Sequence, residues 1–455
     1  MSNRYYACLS REVRERDGRQ RAGLEFEIVE ERRLECFLDR EKGIRPGAGN
    51  YAEAVENFRR YGVSDRRFRE VKGKYLGETG FLLLTVYFDS IEYARYQYEN
   101  WYCIELADRE RKEELTGRVY DCAVYSWGEA DFPEINACGS FLPRDRREAG
   151  MLRKLYQPYI PPESVWDNDK GLRTIGAGTV FGEVSFYYVG AALCAEIRDN
   201  AGNLEAFFDL GTRVSSSAWV AHLQTQARNS QNAIYAELRN IGPGNRVTIF
   251  ISHWHMDHCN ALGAFFQNNT LSANIAQNTE WYVPGSARPS FVSVQSSIPA
   301  AAFHVTAAGI AQGFANVGGN ANIQSGKISY HGNPHPHHQG VYARVALAGG
   351  TTVFLSGDTT YAGIPANERT NGGAGYDCLQ ACHHGGDYHI GGLNLPAEIP
   401  GPANGAIAVY SADGHYHGHP SPNTVSQYRA RGYLQQKEEQ LQLMAGQGFN
   451  ILHIN

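Results

Sequence analysis

The pattern of apolar and polar positions divides the chain into two parts near residue 165. In the first part, residues 24–29 alternate as a strand does, and residues 80–88 form an apolar run typical of a buried strand. Helical spacing over residues 51–61 and 91–102 completes the prediction of a small α+β domain. The second part is predicted to contain a long helix at residues 216–238 and short strands at residues 184–189, 191–198, 204–210, 247–251, 281–283, 341–345 and 352–355.

The distribution of charge supports the same division. Most of the 42 Lys and Arg residues and most of the 48 Asp and Glu residues precede residue 165, whereas the remainder is charge-poor and glycine-rich. The prolines of residues 157–163 predict a linker, because proline continues neither a helix nor a central strand. We therefore predict one domain over residues 1–165 and a second over residues 166–455.

Composition limits the classes of function. The net charge of −6 provides no global basic field, so any binding of nucleic acid would have to be local. No apolar stretch reaches the roughly 18 residues of a membrane span, and the first residues lack the apolar core of a signal peptide. We interpret the 9 scattered cysteines as reduced thiols and expect a cytoplasmic protein without membrane association.

The densest group of candidate metal ligands directly follows the predicted strand at residues 247–251. His253, His255, Asp257 and His258 fall within six residues there. Imidazole nitrogens and carboxylate oxygens are the ligands of zinc and manganese in catalytic sites. Burying these groups without a partner would be costly, and a metal ion supplies one. The sequence therefore predicts a metal site at the end of this strand.

Further candidates follow in order along the chain. The histidines of His335-Pro336-His337-His338 precede the predicted strand at residues 341–345. The next strand, at residues 352–355, leads into Gly357-Asp358-Thr359. His383-His384-Gly385 and Gly418-His419-Pro420 complete the series.

His253-x-His255-x-Asp257-His258 resembles the signature of the metallo-β-lactamase superfamily, over about residues 170–455. The resemblance implies an α/β fold, an αββα sandwich, here preceded by the smaller α+β N-terminal domain. It also implies two divalent metal ions, zinc or manganese, and a supporting role for Asp209. The implied ligands are His253, His255 and His337 for one ion, Asp257, His258 and His419 for the other, and Asp358 as the bridge, with His335 and His338 as alternatives to His337.

The two distal motifs resemble the hydrolase domain of bacterial DNA-uptake competence proteins, which usually have Ser where this chain has Gly386. The resemblance implies cleavage of phosphodiester bonds by a metal-bound hydroxide, with Asp257, His383 and His384 as catalytic residues. A nucleic acid or nucleotide is the expected substrate. The alternatives are a hydrolase of small esters, lactones or β-lactam-like amides and a non-catalytic metal-binding regulatory protein. The arginines and tyrosines of the first domain are residue types that stack on bases and bind phosphates, but the matching number of acidic residues favours a solvated face instead. That domain is also a candidate binding site for a protein partner.

Overall fold

The chain forms two compact units in the computed structural model. The first contains residues 1–160, 263–269 and 285–299, and the second contains residues 161–262, 270–284 and 300–455. The predicted helix at residues 51–61, the linker and His335, His337 and His338 lie outside the described residues. The described residues are 3–14, 22–31, 82–88, 95–98, 100–126, 135–142, 152, 174–190, 192–212, 221–266, 269–286, 288–298, 302–306, 313–329, 339–358, 361–386, 398–412, 419–435 and 451–454.

The first unit is built around a closed antiparallel barrel. Its strands are β1 (Asn3–Arg14), β2 (Ala22–Glu30), β3 (Leu82–Phe88), β4 (Trp101–Asp108), β5 (Val119–Ser126) and β6 (Ile135–Phe141). The strands follow the order β1-β2-β3-β5-β6-β4, and β4 pairs with β1 to close the barrel. Alternate residues such as Leu24, Phe26 and Ile28 form the core, because successive side chains of a strand point to opposite faces.

The prediction of an α+β first domain is wrong. Residues 91–102 were expected to be helical, but β4 begins at Trp101 and pairs with both β1 and β6. The closely spaced tyrosines that suggested a helix, Tyr96 and Tyr98, pack against the barrel core instead. A short 3-10 helix, Arg109–Glu114, follows β4.

The second unit contains two seven-stranded sheets. The first has the order β12-β11-β10-β9-β8-β7-β20, and the second has the order β13-β14-β15-β16-β17-β18-β19. Apolar side chains of both sheets form one shared core, which includes Phe208, Phe250, Val341 and Val353. The strands are β7 (Phe181–Tyr187), β8 (Cys194–Asp199), β9 (Leu204–Leu210), β10 (Val247–Phe250), β11 (Thr279–Pro284), β12 (Phe303–Thr306), β13 (Ala315–Val317), β14 (Asn320–Ser329), β15 (Gln339–Ala346), β16 (Thr352–Leu355), β17 (Tyr376–Gln380), β18 (Pro402–Val409), β19 (Leu434–Gln435) and β20 (Ile451–Ile454).

Helices are fewer and mostly short. The α-helices in the described parts of both units are α1 (Ala221–Arg239), α2 (Met256–Cys259), α3 (Ala261–Phe266), α4 (Asn269–Asn278), α5 (Pro289–Ser297), α6 (Ala366–Arg369) and α7 (Pro422–Arg431). Short 3-10 helices lie at Tyr361–Gly363, Asn371–Gly373 and Cys382–Gly385. Within the residues that the structure covers, no helix has both the length and the apolar composition needed to span a membrane.

The predicted α/β class with an αββα sandwich is also wrong. Strand residues outnumber helical ones, and the architecture is a closed barrel together with two further sheets. Some of the additional strand, including β14, lies in a region for which we predicted no strand, because its Asn, Gln, Ser and Gly residues obscure any alternation. There β14 pairs along most of its length with β15. The predicted strands at residues 204–210 and 352–355 are confirmed as β9 and β16, and the long helix is confirmed as α1.

A buried polar cluster joins α5 to the barrel within the first unit. Glu27 of β2 accepts hydrogen bonds from the backbone N–H of Ser290 at 2.8 Å and from its hydroxyl at 3.0 Å. Arg288 donates to the carbonyl and hydroxyl oxygens of Ser10 at 2.7 and 3.1 Å. A carboxylate at the first turn of a helix satisfies N–H groups that have no partner within the helix. Residues 285–299 are therefore anchored to the barrel by fully buried polar groups.

The candidate site lies where parallel strands of the second unit end. Strands β9 and β10 run parallel in one sheet, and β16, β17 and β18 run parallel in the other. The carboxyl ends of neighbouring parallel strands meet at one edge of a sheet, where open α/β sheets also bind their ligands. The loops after these strands carry the residues predicted to bind metal.

Candidate metal centre

Six side chains form two groups of candidate metal ligands among the described residues. In each group, one donor atom of each side chain lies within 4.8 Å of the others. All six side chains are buried. The first group is His253, His255 and Asp358, and the second is Asp257, His258 and His384.

Asp358 lies between the two groups. Its Oδ2 is 3.7 Å from Nε2 of His253, in the first group. Its Oδ1 is 3.1 Å from Nε2 of His258 and 3.5 Å from Nε2 of His384, in the second group. Nε2 of His384 is also 3.4 Å from Oδ2 of Asp257. Each oxygen of one carboxylate therefore faces a different set of imidazoles.

The loop after β10 delivers four of the six donors. His255 is extended and is the N-cap of α2, which begins at Met256. This single helical turn carries Asp257 and His258, and the loop before it carries His253 and His255. The rings of His253 and His258 lie 4.1 Å apart between centroids. A strand followed by one helical turn thus concentrates donors that the sequence places two or fewer residues apart.

Asp209, at the end of β9, supports this loop as the resemblance implies. Its Oδ1 accepts a hydrogen bond from the N–H of Ser252 at 2.6 Å, and its Oδ2 accepts one from the Ser252 hydroxyl at 2.7 Å. Its Oδ2 is also 2.7 Å from Nδ1 of His258. With Nδ1 held in this way, Nε2 of His258 is directed towards Asp358.

Two glycines permit the close approach of the loops. A Cβ at Gly357, whose φ is 57°, would collide with the hydroxyl of Ser252. A Cβ at Gly211 would lie 2.6 Å from the carbonyl oxygen of Leu193 and closer still to that of Asp257. Neither position has space for a Cβ, so both require glycine. Gly357 also requires it because its φ is positive.

The electrostatics of the centre keep a buried carboxylate charged. Burial alone would raise the pKa of Asp358, but His258, His384 and His383 outweigh it and hold that pKa well below its usual value. Burial also opposes protonation of His258, yet Asp358 and Asp209 raise its pKa well above the ordinary value. Burial lowers the pKa of His383. The centre therefore combines an ionised carboxylate with imidazoles that compensate its charge.

The two histidines after β17 occupy different positions. His383 and His384 both have left-handed backbone conformations, with φ of 51° and 54°. His384, predicted to be catalytic, lies in the second donor group, and its Nδ1 is hydrogen-bonded to the hydroxyl of Ser411 at 2.8 Å. His383 lies outside both groups, with Nε2 3.8 Å from Oδ2 of Asp358.

His419 was expected to complete the second ligand set, but it belongs to neither group. It is 9% exposed, and its ring centroid lies 5.1 Å from that of His383. The ligand roles predicted for His419 and for His337 remain predictions, since His337 lies outside the described residues. The structure brings together His253, His255, Asp257, His258 and Asp358 as predicted, with His384 in addition.

Sequence reasoning missed Ser411, which lies just beyond β18 in a segment without any motif. Its position after a strand parallel to β17 was the one available signal.

Two cysteines also lie beside the centre. The thiol of Cys259 donates to the carbonyl of His255 at 3.0 Å, and that of Cys382 donates to the carbonyl of Asp358 at 3.1 Å. Both thiols therefore contact the backbone of candidate ligands.

The donor set fits transition-metal ions. The two groups together contain four imidazoles and two carboxylates, which are the ligand types of zinc and manganese. Asp358 belongs to the first group and also lies 3.1 Å from Nε2 of His258 in the second. Neither a protein-family model nor a curated protein matches the chain.

Proposed function

We propose that this protein is a dinuclear metal-dependent hydrolase. The observation that carries the proposal is the position of Asp358, whose Oδ2 faces the first donor group and whose Oδ1 faces the second. A carboxylate in this position is the usual bridge between the ions of a two-metal site, which lie about 3.5–4 Å apart. The resemblance of the donor motif to that of the metallo-β-lactamase superfamily supports the same proposal, whereas the overall architecture contributes nothing to it.

The first group would hold one ion and the second group the other. Two divalent cations there would supply Lewis acidity, which activates water near neutral pH and stabilises negative charge on the substrate. The protein's own contribution is rigidity. Asp209 fixes the ring of His258 and Ser411 fixes that of His384, so both Nε2 atoms are directed towards Asp358 before an ion binds.

A phosphodiester is the substrate that we propose, as part of a nucleic acid or a nucleotide. His383 lies beside the donor groups and is 25% exposed at its side chain, so it is placed to contact a substrate rather than to be enclosed. Imidazole N–H groups donate hydrogen bonds to phosphoryl oxygens and support charge developing there. The resemblance of the distal motifs to those of the competence proteins favours the same class of substrate.

Metal content and hydrolysis together test the proposal. Purified protein is loaded with zinc or manganese, its metal content is determined by elemental analysis, and hydrolysis of bis-p-nitrophenyl phosphate and single-stranded oligonucleotides is measured. We expect about two equivalents of metal and metal-dependent cleavage of both substrates. Protein that binds metal but cleaves only chromogenic esters or cephalosporins would contradict the proposed substrate, and protein that binds no metal would contradict the dinuclear centre.

A histidine variant with a matched control tests the donor assignment. His384→Ala should lose the ion of the second group, because that group then retains only Asp257 and His258. His453→Gln is the control, since His453 lies on β20 and pairs with Glu183 at 2.6 Å. We expect the control to retain its metal and its activity.

A further inference from the structure

Strand β14 carries a lysine on the face that it contributes to the core of the second unit. Lys327 pairs with Val341 of β15, and Ile323, on the same face of β14, pairs with Val345. Val341, Ile323 and Val345 all belong to the core that the two sheets share. Because every second side chain of a strand points to the same face, Lys327 points into the space between the sheets.

The end of β14 that carries Lys327 lies beside the candidate metal centre. Val341, the partner of Lys327, donates its N–H to the carbonyl of Ser252 at 3.0 Å. Ser252 directly precedes His253, the first of the donors in the loop after β10. Neighbouring strands lie about 4.8 Å apart. Lys327 is therefore one strand away from the backbone of the loop that delivers four of the six donors.

The ammonium group of Lys327 is nearly enclosed and has no counter-charge among the described residues. Lys327 is 7% exposed, and burial lowers the pKa of its amine without an opposing contribution from any carboxylate in the described part of the chain. No described residue forms a hydrogen bond or an ion pair with its side chain. Buried charges are normally paired, because an isolated ammonium group loses its hydration. A ligand bound between the sheets can supply the charge that the protein does not.

We propose that Lys327 is a substrate-binding residue, whose ammonium group binds an anionic oxygen of a phosphodiester held at the metal centre. This inference rests on the proposed hydrolase function and names a residue that selects its class of substrate. Hydrogen bonds between charged groups are roughly twice as strong as those between neutral ones. A neutral ester lacks the anionic oxygen, so Lys327 favours phosphodiesters over neutral esters.

The variant Lys327→Met tests the inference, because it removes the charge and keeps the length of the side chain. Inorganic phosphate is titrated calorimetrically into the metal-loaded protein, and kcat/KM is measured on bis-p-nitrophenyl phosphate and on the neutral ester p-nitrophenyl acetate. The variant should bind phosphate about 10–100-fold more weakly and lose a similar factor in kcat/KM on the phosphodiester, the usual effect of losing a hydrogen bond to a charged group. Its metal content and its hydrolysis of the neutral ester should stay unchanged.

Thermal unfolding without phosphate gives an independent measurement. The unfolding midpoint of Lys327→Met should be higher than that of the wild type, because methionine fills a similar space without the cost of desolvating an unpaired ammonium group. Added phosphate should raise the midpoint of the wild type more than that of the variant. Lys112→Met, exposed in the 3-10 helix Arg109–Glu114, is the matched control and should behave like the wild type throughout.

Four results would overturn the inference. These are unchanged affinity for phosphate in Lys327→Met, equal losses on both esters, loss of metal from the variant, and a lower unfolding midpoint, which would show that Lys327 has a partner within the protein. Failure of the proposed function is separate. A wild type that binds phosphate through Lys327 but cleaves no phosphodiester would contradict the hydrolase and would support Lys327 as an anion-binding residue.

Discussion

Each of the two units buries a carboxylate completely, and the two carboxylates behave in opposite ways. Burial raises the pKa of Glu27 to about 7, although Arg288 and Ser290 oppose the change. Asp358 is equally inaccessible, at 1% exposed, yet His258, His384 and His383 hold its pKa well below the usual value. Burial is common to both residues, so the neighbouring groups make the difference.

The contrast separates a structural polar cluster from a candidate functional one. Glu27 lies against the first turn of α5, where an N–H and a hydroxyl of Ser290 satisfy it, and protonation relieves the remaining cost of burial. Asp358 remains ionised because its neighbours are imidazoles, and Nε2 of His258 lies 3.1 Å from its Oδ1. A charged carboxylate surrounded by several imidazoles is an arrangement typical of functional sites.

The largest expected effect comes from removing the charge of Asp358. Asp358→Asn keeps the shape of the side chain but should lose about one equivalent of metal and more than about 10³-fold in turnover, because the negative charge between the two donor groups is removed and one of the two oxygens is replaced by an NH₂ group. Elemental analysis and phosphodiester hydrolysis measure the two losses. Asp108→Asn, exposed at the end of β4, is the control. Full metal content in Asp358→Asn would contradict the bridging assignment.

The pH dependence of stability should reveal the opposite behaviour of Glu27. Its folded-state pKa of about 7 exceeds the ordinary value of 4.5, so its contribution to stability is full below pH 4.5 and is lost as the pH rises to about 7. The loss should be about 3 kcal/mol and complete above that pH. Glu27→Gln cannot ionise, so its free energy of unfolding should lack this dependence on pH.

Urea denaturation of both proteins between pH 4.5 and 8 measures the difference. The free energies of unfolding of wild type and Glu27→Gln should diverge up to pH 7 and then run parallel. Glu113→Gln, exposed in the 3-10 helix Arg109–Glu114, should follow the wild type. A wild-type curve parallel to that of Glu27→Gln throughout would show that folding does not change the pKa of Glu27.

A smaller effect is expected from Ser411, which fixes one of the imidazoles around Asp358. Ser411→Ala removes the hydrogen bond to Nδ1 of His384 but leaves the donor set intact. Loss of such a supporting group typically costs about 10–100-fold in metal affinity. Competition with a chelator measures the affinity, with Ser426→Ala on α7 as the control. Unchanged affinity in Ser411→Ala would mean that packing alone orients His384.

The smallest effect is expected at Cys259. Its thiol donates to the carbonyl of His255, so Cys259→Ser keeps a donor there and should retain full metal content. Cys259→Ala removes the hydrogen bond and should lower the free energy of unfolding by about 1 kcal/mol. Thermal unfolding and elemental analysis of both variants measure this. Loss of metal from Cys259→Ser would identify the thiol as a ligand.

The sequence predicts the candidate site better than the fold that carries it. His253, His255, Asp257 and His258 lie close in sequence in the loop after β10 and on the helical turn α2, so local geometry suffices to bring them together. Asp358 follows a strand whose apolar pattern is clear, and parallel strands end at a common edge. Bringing these candidate ligands together therefore requires few contacts between segments that are distant in sequence.

The choice between His384 and His419 could not be made from the sequence. Both lie beside glycine, since Gly385 follows His384 and Gly418 precedes His419, and the left-handed backbone at His383 and His384 leaves no sequence signal. The barrel was missed for a related reason. Its closure depends on pairing between distant strands, such as Asn3 with Leu106, which no local periodicity specifies.

The anchoring of residues 285–299 to the barrel has a consequence for synthesis on the ribosome. The barrel strands end at Phe141, but the N–H and hydroxyl groups that satisfy Glu27 belong to Ser290. At about 5–20 residues per second, the interval between these positions takes on the order of ten seconds to translate. During that time the nascent barrel carries Glu27 without its Ser290 partner, so the first unit cannot finish folding until residues 161–262 of the second unit have been synthesised.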